Sequence, residues 1–316
     1  METRTECIGK IKENIRRVII GKEETIDLLL TTLVAGGHVL LEDVPGTGKT
    51  VLAKSLAKSI NGEFSRIQFT PDLLPADVTG LTYYNQKEGK FIFKKGPAFC
   101  NVLLADEINR ATPRTQSSLL ECMEEHQITV DGVTYPLKRP FFVAATENPV
   151  ETLGTFPLPE AQMDRFFMQL SMGMPTAGEE LQILERFEKA QPLEELQPVC
   201  SCGDLESVMD ACRSVYVHPE LKRYLVEITG GTREYPDVVS GVSPRGTLAL
   251  FAAVRAHALV CGREYAVPED VKAVAVPVLA HRLIMSRGIS GAVGGKQVIE
   301  AILEKVPVPT EKWTGV

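Results

Sequence analysis

Apolar positions along this chain follow two different periods, and the change from one to the other divides it. Over residues 5–35 apolar side chains recur at helical spacing on both sides of a break at Ile20-Gly21-Lys22, predicting two helices. Segments of strand length follow at Val39–Leu41, Phe64–Phe69, Asn101–Ala105, Phe141–Ala145 and Phe166–Leu170, the first, third and fourth of them apolar runs. Between them lie a helix from about Arg114 to Glu125, a short one over 160–165, and two hairpins. The first hairpin is read from residues 79–83 and 90–95 around a polar turn. The second comes from Ile128-Thr129-Val130 and Val133-Thr134-Tyr135 around Asp131-Gly132, a strong short-range hairpin signal. After Met174-Pro175-Thr176 the pattern is almost wholly helical, over 178–190, 204–213, 219–229, 244–261, 268–285 and 297–304, ending in a Pro-containing tail. Ser243-Pro244 supplies a capping serine and a proline at the first helical position. The expectation is an α/β domain over residues 1–174 and an α-helical domain over 175–316.

The most informative stretch is residues 38–60. Its apolar run leads into a loop ending Gly46-Thr47-Gly48-Lys49-Thr50, and a helical pattern follows. Strand, glycine loop and helix together form a phosphate cradle. The loop from Pro45 to Val51 wraps the ligand, with backbone N–H donors from Gly46 to Val51; Lys49 can reach the β/γ-phosphates, and the Thr50 hydroxyl can ligate Mg²⁺. The strict pattern has Gly at position 43, where this chain has Asp43. Asp tolerates unusual turn dihedrals, and Pro45-Gly46 bends the loop. A glycine-rich turn can enter a helix by chance, so the loop needs the residues beyond it.

Asp106-Glu107 closes the third of those segments, where an open parallel sheet places its ligand-binding residues. Asp106 there can hold Mg²⁺, and Glu107 can polarise an attacking water. Alone, such a pair is most often a solvated turn. Asn148 ends the next strand and can reach a γ-phosphate, although Asn before Pro is also a common turn residue. Arg165 and Arg245 are candidates for anion contacts, with surface ion pairs as the plain alternative. Val18, Ile19 and Ile20 form either a wall for an adenine base or ordinary packing.

Composition narrows the class. Of 316 residues, 44% are hydrophobic and 24% charged, so a sizeable core is expected, and no apolar run approaches the length of a membrane span. The N-terminus lacks the apolar core of a signal peptide, so a cytoplasmic chain is expected. Net charge is −7, which speaks against nucleic acid as a partner. The seven cysteines include Cys200-x-Cys202 and Cys212, but the C-x₂₋₄-C pairing and a nearby histidine are missing, so reduced structural thiols are expected.

In this order, GTGKT, LLADEINRATPRTQSSLLECMEE, ATENP, LPEAQMDRF and SPR resemble an AAA+ ATPase of the MoxR family over roughly residues 5–285. The resemblance implies an AAA+ P-loop fold with a five-stranded parallel sheet in the order 5-1-4-3-2 and a C-terminal helical lid. It makes residues 70–97 the helix-2 insert and 127–136 the pre-sensor-1 hairpin. It makes Lys49 and Thr50 Walker A, Asp106 and Glu107 Walker B, Asn148 sensor 1, Arg165 the arginine finger and Arg245 sensor 2. The implied activity is Mg²⁺-dependent ATP hydrolysis by a ring, a hexamer, which remodels or matures partners carrying von Willebrand factor A domains, often in metal insertion. An ATPase subunit of a magnesium-chelatase-like complex is the first alternative. A nucleic-acid motor is the second, disfavoured because the 127–136 hairpin has no basic residue between Gln127 and Pro136.

Overall fold

The computed structural model describes residues 2–149, 154–188, 191–286 and 291–309. Helices α1 (Glu2–Arg16) and α2 (Glu23–Val34) precede β1 (Val39–Glu42), the phosphate loop and α3 (Lys49–Ser59). β2 (Phe64–Gln68) follows, then a short α4 (Pro75–Thr79) and the hairpin β3 (Gly80–Asn85) and β4 (Lys90–Lys95). β5 (Val102–Asp106) leads through a 3₁₀ turn into α5 (Pro113–Glu125) and the hairpin β6 (Gln127–Val130) and β7 (Val133–Pro136). β8 (Phe142–Glu147), α6 (Glu160–Met163) and β9 (Met168–Leu170) complete the α/β part.

Five strands form one parallel sheet ordered β2-β5-β8-β1-β9. Numbered among themselves these are 2-3-4-1-5, the expected order read from the other edge. Side chains alternate between its faces. Val39, Leu41, Val102, Leu104, Phe142 and Ala144 enter one core, and Leu40, Leu103, Ala105, Val143 and Ala145 another. The two hairpins stand apart from this sheet as separate antiparallel pairs. At the second, Asp131 and Gly132 both adopt positive φ (52° and 76°), as a two-residue hairpin turn of this type requires.

Beyond β9 come α7 (Ala177–Phe187), α8 (Pro192–Glu195), α9 (Cys202–Cys212), α10 (Pro219–Arg233), β10 (Val238–Ser240), α11 (Pro244–Val260), α12 (Pro268–Leu279), β11 (Ile284–Met285) and α13 (Gly291–Lys305). The helix expected over 268–285 stops at Leu279: a 3₁₀ turn at Ala280–Arg282 ends it, and Ile284–Met285 pairs with β10 instead. The helix expected to begin at Gln297 starts at Gly291. Residues 189–190, at the end of the helix expected over 178–190, and the tail from 310 onward lie outside the described residues. One continuous apolar cluster joins α1–α3, one sheet face and α9–α13, so the helical region shares its core with the N-terminal helices. The described cysteines are all free thiols.

Candidate functional site

At the end of β1 the chain turns through Gly46 and Gly48, whose φ values of 90° and 94° lie where a side chain is strained. Gly48 is the N-cap of α3, so the first N–H groups of that helix face the turn. Lys49 Nζ donates to the Asp43 carbonyl at 2.7 Å and to that of Val44 at 3.2 Å. Burial pulls the Lys49 pKa below its usual value, opposed by the carboxylates of Asp43, Asp106 and Glu107. Thr47 is buried and also bonds Val44 O.

Asp43 departs from the reading given to it. It has no positive φ, so it is not there to tolerate an unusual turn. Its buried carboxylate accepts from Ser171 Oγ at 2.7 Å, Met172 N at 2.7 Å and Gly173 N at 3.0 Å.

Asp106 ends β5, two strands across from β1, and Glu107 follows it. Thr146, fully buried on β8, donates its hydroxyl to Asp106 Oδ1 at 2.7 Å and accepts the Glu107 N–H at 2.8 Å. Arg66 Nη2 reaches Asp106 Oδ2 at 2.7 Å. Glu107 sits at φ 56°, a left-handed conformation uncommon outside glycine, and its carboxylate is held by Gln68 Nε2 (2.6 Å) and Arg110 Nε (3.0 Å).

These groups share one cavity of about 380 Å³. Pro45, Gly46, Gly48, Lys49, Thr50, Val51, Asp106, Glu107, Glu147 and Asn148 line it, with Arg66, Gln68 and Thr146. Val18, Ile19 and Ile20 do not line it; Val18 and Ile19 are buried in packing and Ile20 is half-buried.

Arg165 and Arg245 are not part of this cavity. Arg165 precedes β9 and Arg245 opens α11, and both line a separate space of about 200 Å³ beside Gly36, Gly37 and His38, which lead into β1. That is the other end of the parallel sheet, a strand length or ~13 Å from the phosphate loop. Glu124 pairs with Arg165 at 3.2 Å and with Arg245 at 3.1 Å. Asp164 lies 3.8 Å from Arg245 and 2.7 Å from the buried Arg282. Arg245, expected as a sensor 2 contact, thus lies beside Arg165 within the single chain.

Sequence reasoning missed Arg66, Gln68 and Thr146. Thr146 had a signal, a polar residue in an otherwise apolar strand. Arg66 and Gln68 had only their positions near the end of β2, which says nothing until the sheet order puts β2 beside β5.

Residues 38–168 match the model of the ATPase family associated with various cellular activities (AAA), and residues 231–302 match the AAA lid domain. The chain is 48% identical to the protein YeaC of Bacillus subtilis, over 96% of each chain. It is 40% identical to the chaperone MoxR1 of Mycobacterium tuberculosis, over 93% of this chain and 80% of that protein. A crystal structure of a provisionally assigned ATPase from Cytophaga hutchinsonii superposes with a TM-score of 0.89 at 40% identity, covering 98% of both chains.

Proposed function

The chain belongs to the MoxR family of AAA+ ATPases, and from that premise we propose that it hydrolyses Mg²⁺-ATP at sites completed between copies of itself in a ring, a hexamer. The observation that carries this reading is the separation of its polar groups. Lys49, Thr50, Asp106, Glu107 and Asn148 gather at the C-terminal end of the sheet's strands, and Arg165 with Arg245 at the other end. A single copy has no arginine of that second pair within reach of its own phosphate loop. Head-to-tail packing of identical chains brings the arginine face of each copy to the phosphate-loop face of the next, and such a heterologous contact makes a ring when its rotation closes.

Within the cavity Lys49 is assigned to the β/γ-phosphates and the α3 N-terminus to the anion's remaining charge. Three carboxylates (Asp106, Glu107 and Glu147) line the space against two cations, Lys49 and Arg66, the Asp43 carboxylate being turned to residues 171–173. A polyphosphate entering it meets net negative charge, which suits a divalent cation as companion. The Thr50 hydroxyl and the Asp106 carboxylate are hard oxygen donors of the kind Mg²⁺ prefers. When bound, the cation neutralises charge on the transferring phosphoryl group. Glu107 orients and polarises the attacking water, with its backbone N–H tied to Thr146. Asn148 holds the γ-phosphate or the same water. Arg165 and Arg245 of one copy supply positive charge to the phosphate held by the next.

Chaperone-like work follows from the named relative. The proposed client is a protein with a von Willebrand factor A domain, the setting cytoplasmic, and metal insertion a candidate outcome. Among the described residues no helix is long and apolar enough to cross a membrane. The β3–β4 hairpin exposes Tyr83, Tyr84 and Phe91, which makes it a fitting client contact. Two measurements test this reading. Phosphate release per chain should rise steeply with protein concentration as rings form. Glu107→Gln protein with ATP should retain a client that Lys49→Ala protein does not.

A further inference from the structure

Asp43 joins two parts of the molecule through two different atoms. Its carbonyl oxygen accepts the ammonium of Lys49, and its carboxylate is fully engaged by the segment 171–173 that leaves β9. Oδ1 takes Ser171 Oγ and Gly173 N, while Oδ2 takes Met172 N. Gly173 has φ 61° with open space around it, so the backbone turns there. Met172 is buried, its methyl 3.8 Å from where a side chain on Gly48 would begin. The connection thus lies over the phosphate loop.

The same segment leads directly to α7. Lys22 donates to Met174 O at 3.1 Å and lies 3.8 Å from Glu179. Thr176 and Glu179 form the capping box that starts α7. β9, from which the segment departs, is a three-residue edge strand paired only to β1. Charge-assisted hydrogen bonds to a buried carboxylate are short and directional, so motion of the backbone at Asp43 is passed on rather than absorbed. A glycine here would satisfy the generic loop and leave the Met172 and Gly173 N–H groups without their acceptor.

We propose that Asp43 couples occupancy of the phosphate loop to the β9–α7 connection, as a positioning residue that converts phosphate capture into movement of α7. The proposal rests on the ATP-site reading above. A phosphate that draws Lys49 away from the Asp43 carbonyl changes the loop at the residue whose carboxylate grips residues 171–173.

Asp43→Gly restores the strict phosphate-loop sequence, which makes it a sharp test. Three quantities are measured: ATP affinity in Mg²⁺ by calorimetry, steady-state phosphate release, and the ATP-dependent change in amide hydrogen exchange over residues 171–187. Asp43→Gly should bind ATP within about threefold of the unmodified chain, lose at least tenfold in kcat, and show no ATP-dependent exchange change in 171–187. Asp43→Asn keeps one acceptor oxygen and should fall between; Ser171→Ala removes one bond of three and should show a smaller loss. That graded series remains readable if the glycine variant fails to fold. Wild-type turnover and exchange response in Asp43→Gly, or in Asp43→Asn where glycine does not fold, would overturn the coupling. So would loss of ATP affinity in proportion to turnover, which would make Asp43 a loop-shaping residue. Failure of the ATP-site reading is separate: it would show as equal ATP affinity in the unmodified and Lys49→Ala proteins, whatever Asp43 does.

Discussion

The guanidinium groups of Arg165 and Arg245 meet at one carboxylate. Arg165 Nε lies 3.2 Å from Glu124 Oε2, and Arg245 Nη2 lies 3.1 Å from Glu124 Oε1. One residue comes from the turn before β9 and the other from the start of α11, 80 positions later in the chain. Glu124 therefore holds both proposed phosphate contacts within the single chain, and in the proposed ring a neighbour's nucleotide would compete with it.

That competition sets the first prediction. Partly exposed ion pairs are worth ~0.2–1 kcal/mol each. Glu124→Gln should lower the protein concentration for half-maximal ATPase activity by roughly two- to tenfold. Specific activity measured across a dilution series checks this; an unchanged or raised midpoint would mean Glu124 does not restrain the arginines.

Thr146 supplies a second. Its hydroxyl bonds both the Asp106 carboxylate and the Glu107 N–H, and Glu107 is held at positive φ. Thr146→Val preserves shape and removes both bonds. It should cost about ten- to a hundredfold in kcat, in the range of a misplaced general base, with ATP affinity little changed. Calorimetry beside phosphate release separates the two quantities.

Two histidines set opposite limits on stability with pH. His38 is buried, its Nδ1 accepting the Val143 N–H and its Nε2 donating to Met123 O; burial lowers its pKa to about 4. Between about 6.5 and 4 the unfolded chain takes up a proton that the folded one refuses, so stability falls as pH drops through this window. Burial acts the same way on His257, but its hydrogen bond to Asp270 and the adjacent Cys261 outweigh it, and the pKa rises to about 9. That stabilisation is complete below about 6.5 and lost as pH rises through 9. Each limb amounts to at most about 3 kcal/mol. The thermal unfolding midpoint should fall on either side of about pH 6.5, with buried His281, its pKa also lowered by burial and Arg282, adding to the acid side, and His257→Gln should flatten only the alkaline limb.

Much of this architecture was legible in the chain. All five sheet strands were located within two residues. Strands β1, β5 and β8, buried on both faces, carry an unbroken apolar signal, while β2 at the edge is mixed and was read from its length and flanking turns. Asp131-Gly132 declared its hairpin through turn chemistry. The ends of α12 and α13 were not legible, since a 3₁₀ turn and a two-residue strand leave no periodicity to read. Lys49, Thr50, Asp106, Glu107 and Asn148 could be gathered because each ends a strand or follows one. The placement of Arg245 could not be read, because it depends on how α11 packs against α2 and α12. Asp43 was legible as an exception to a pattern, while its partners at 171–173 lie 128–130 positions away.

The central claim is that Arg165 and Arg245 both serve the site of a neighbouring copy. Variants of Glu107, Arg165 and Arg245 should each be nearly inactive alone, an arginine of this kind being worth ~10³–10⁵ in turnover. Mixed with Glu107→Gln, either Arg165→Ala or Arg245→Ala should recover activity at interfaces that pair an intact Glu107 with intact arginines. The decisive sample is Arg165→Ala mixed with Arg245→Ala, with mixed rings confirmed by mass. If both arginines act on the neighbour, every interface lacks one of them, and phosphate release stays at the single-variant level at all ratios. If Arg245 served its own chain's site, that same mixture would contain complete interfaces, and a rise in activity at intermediate ratios would contradict the account.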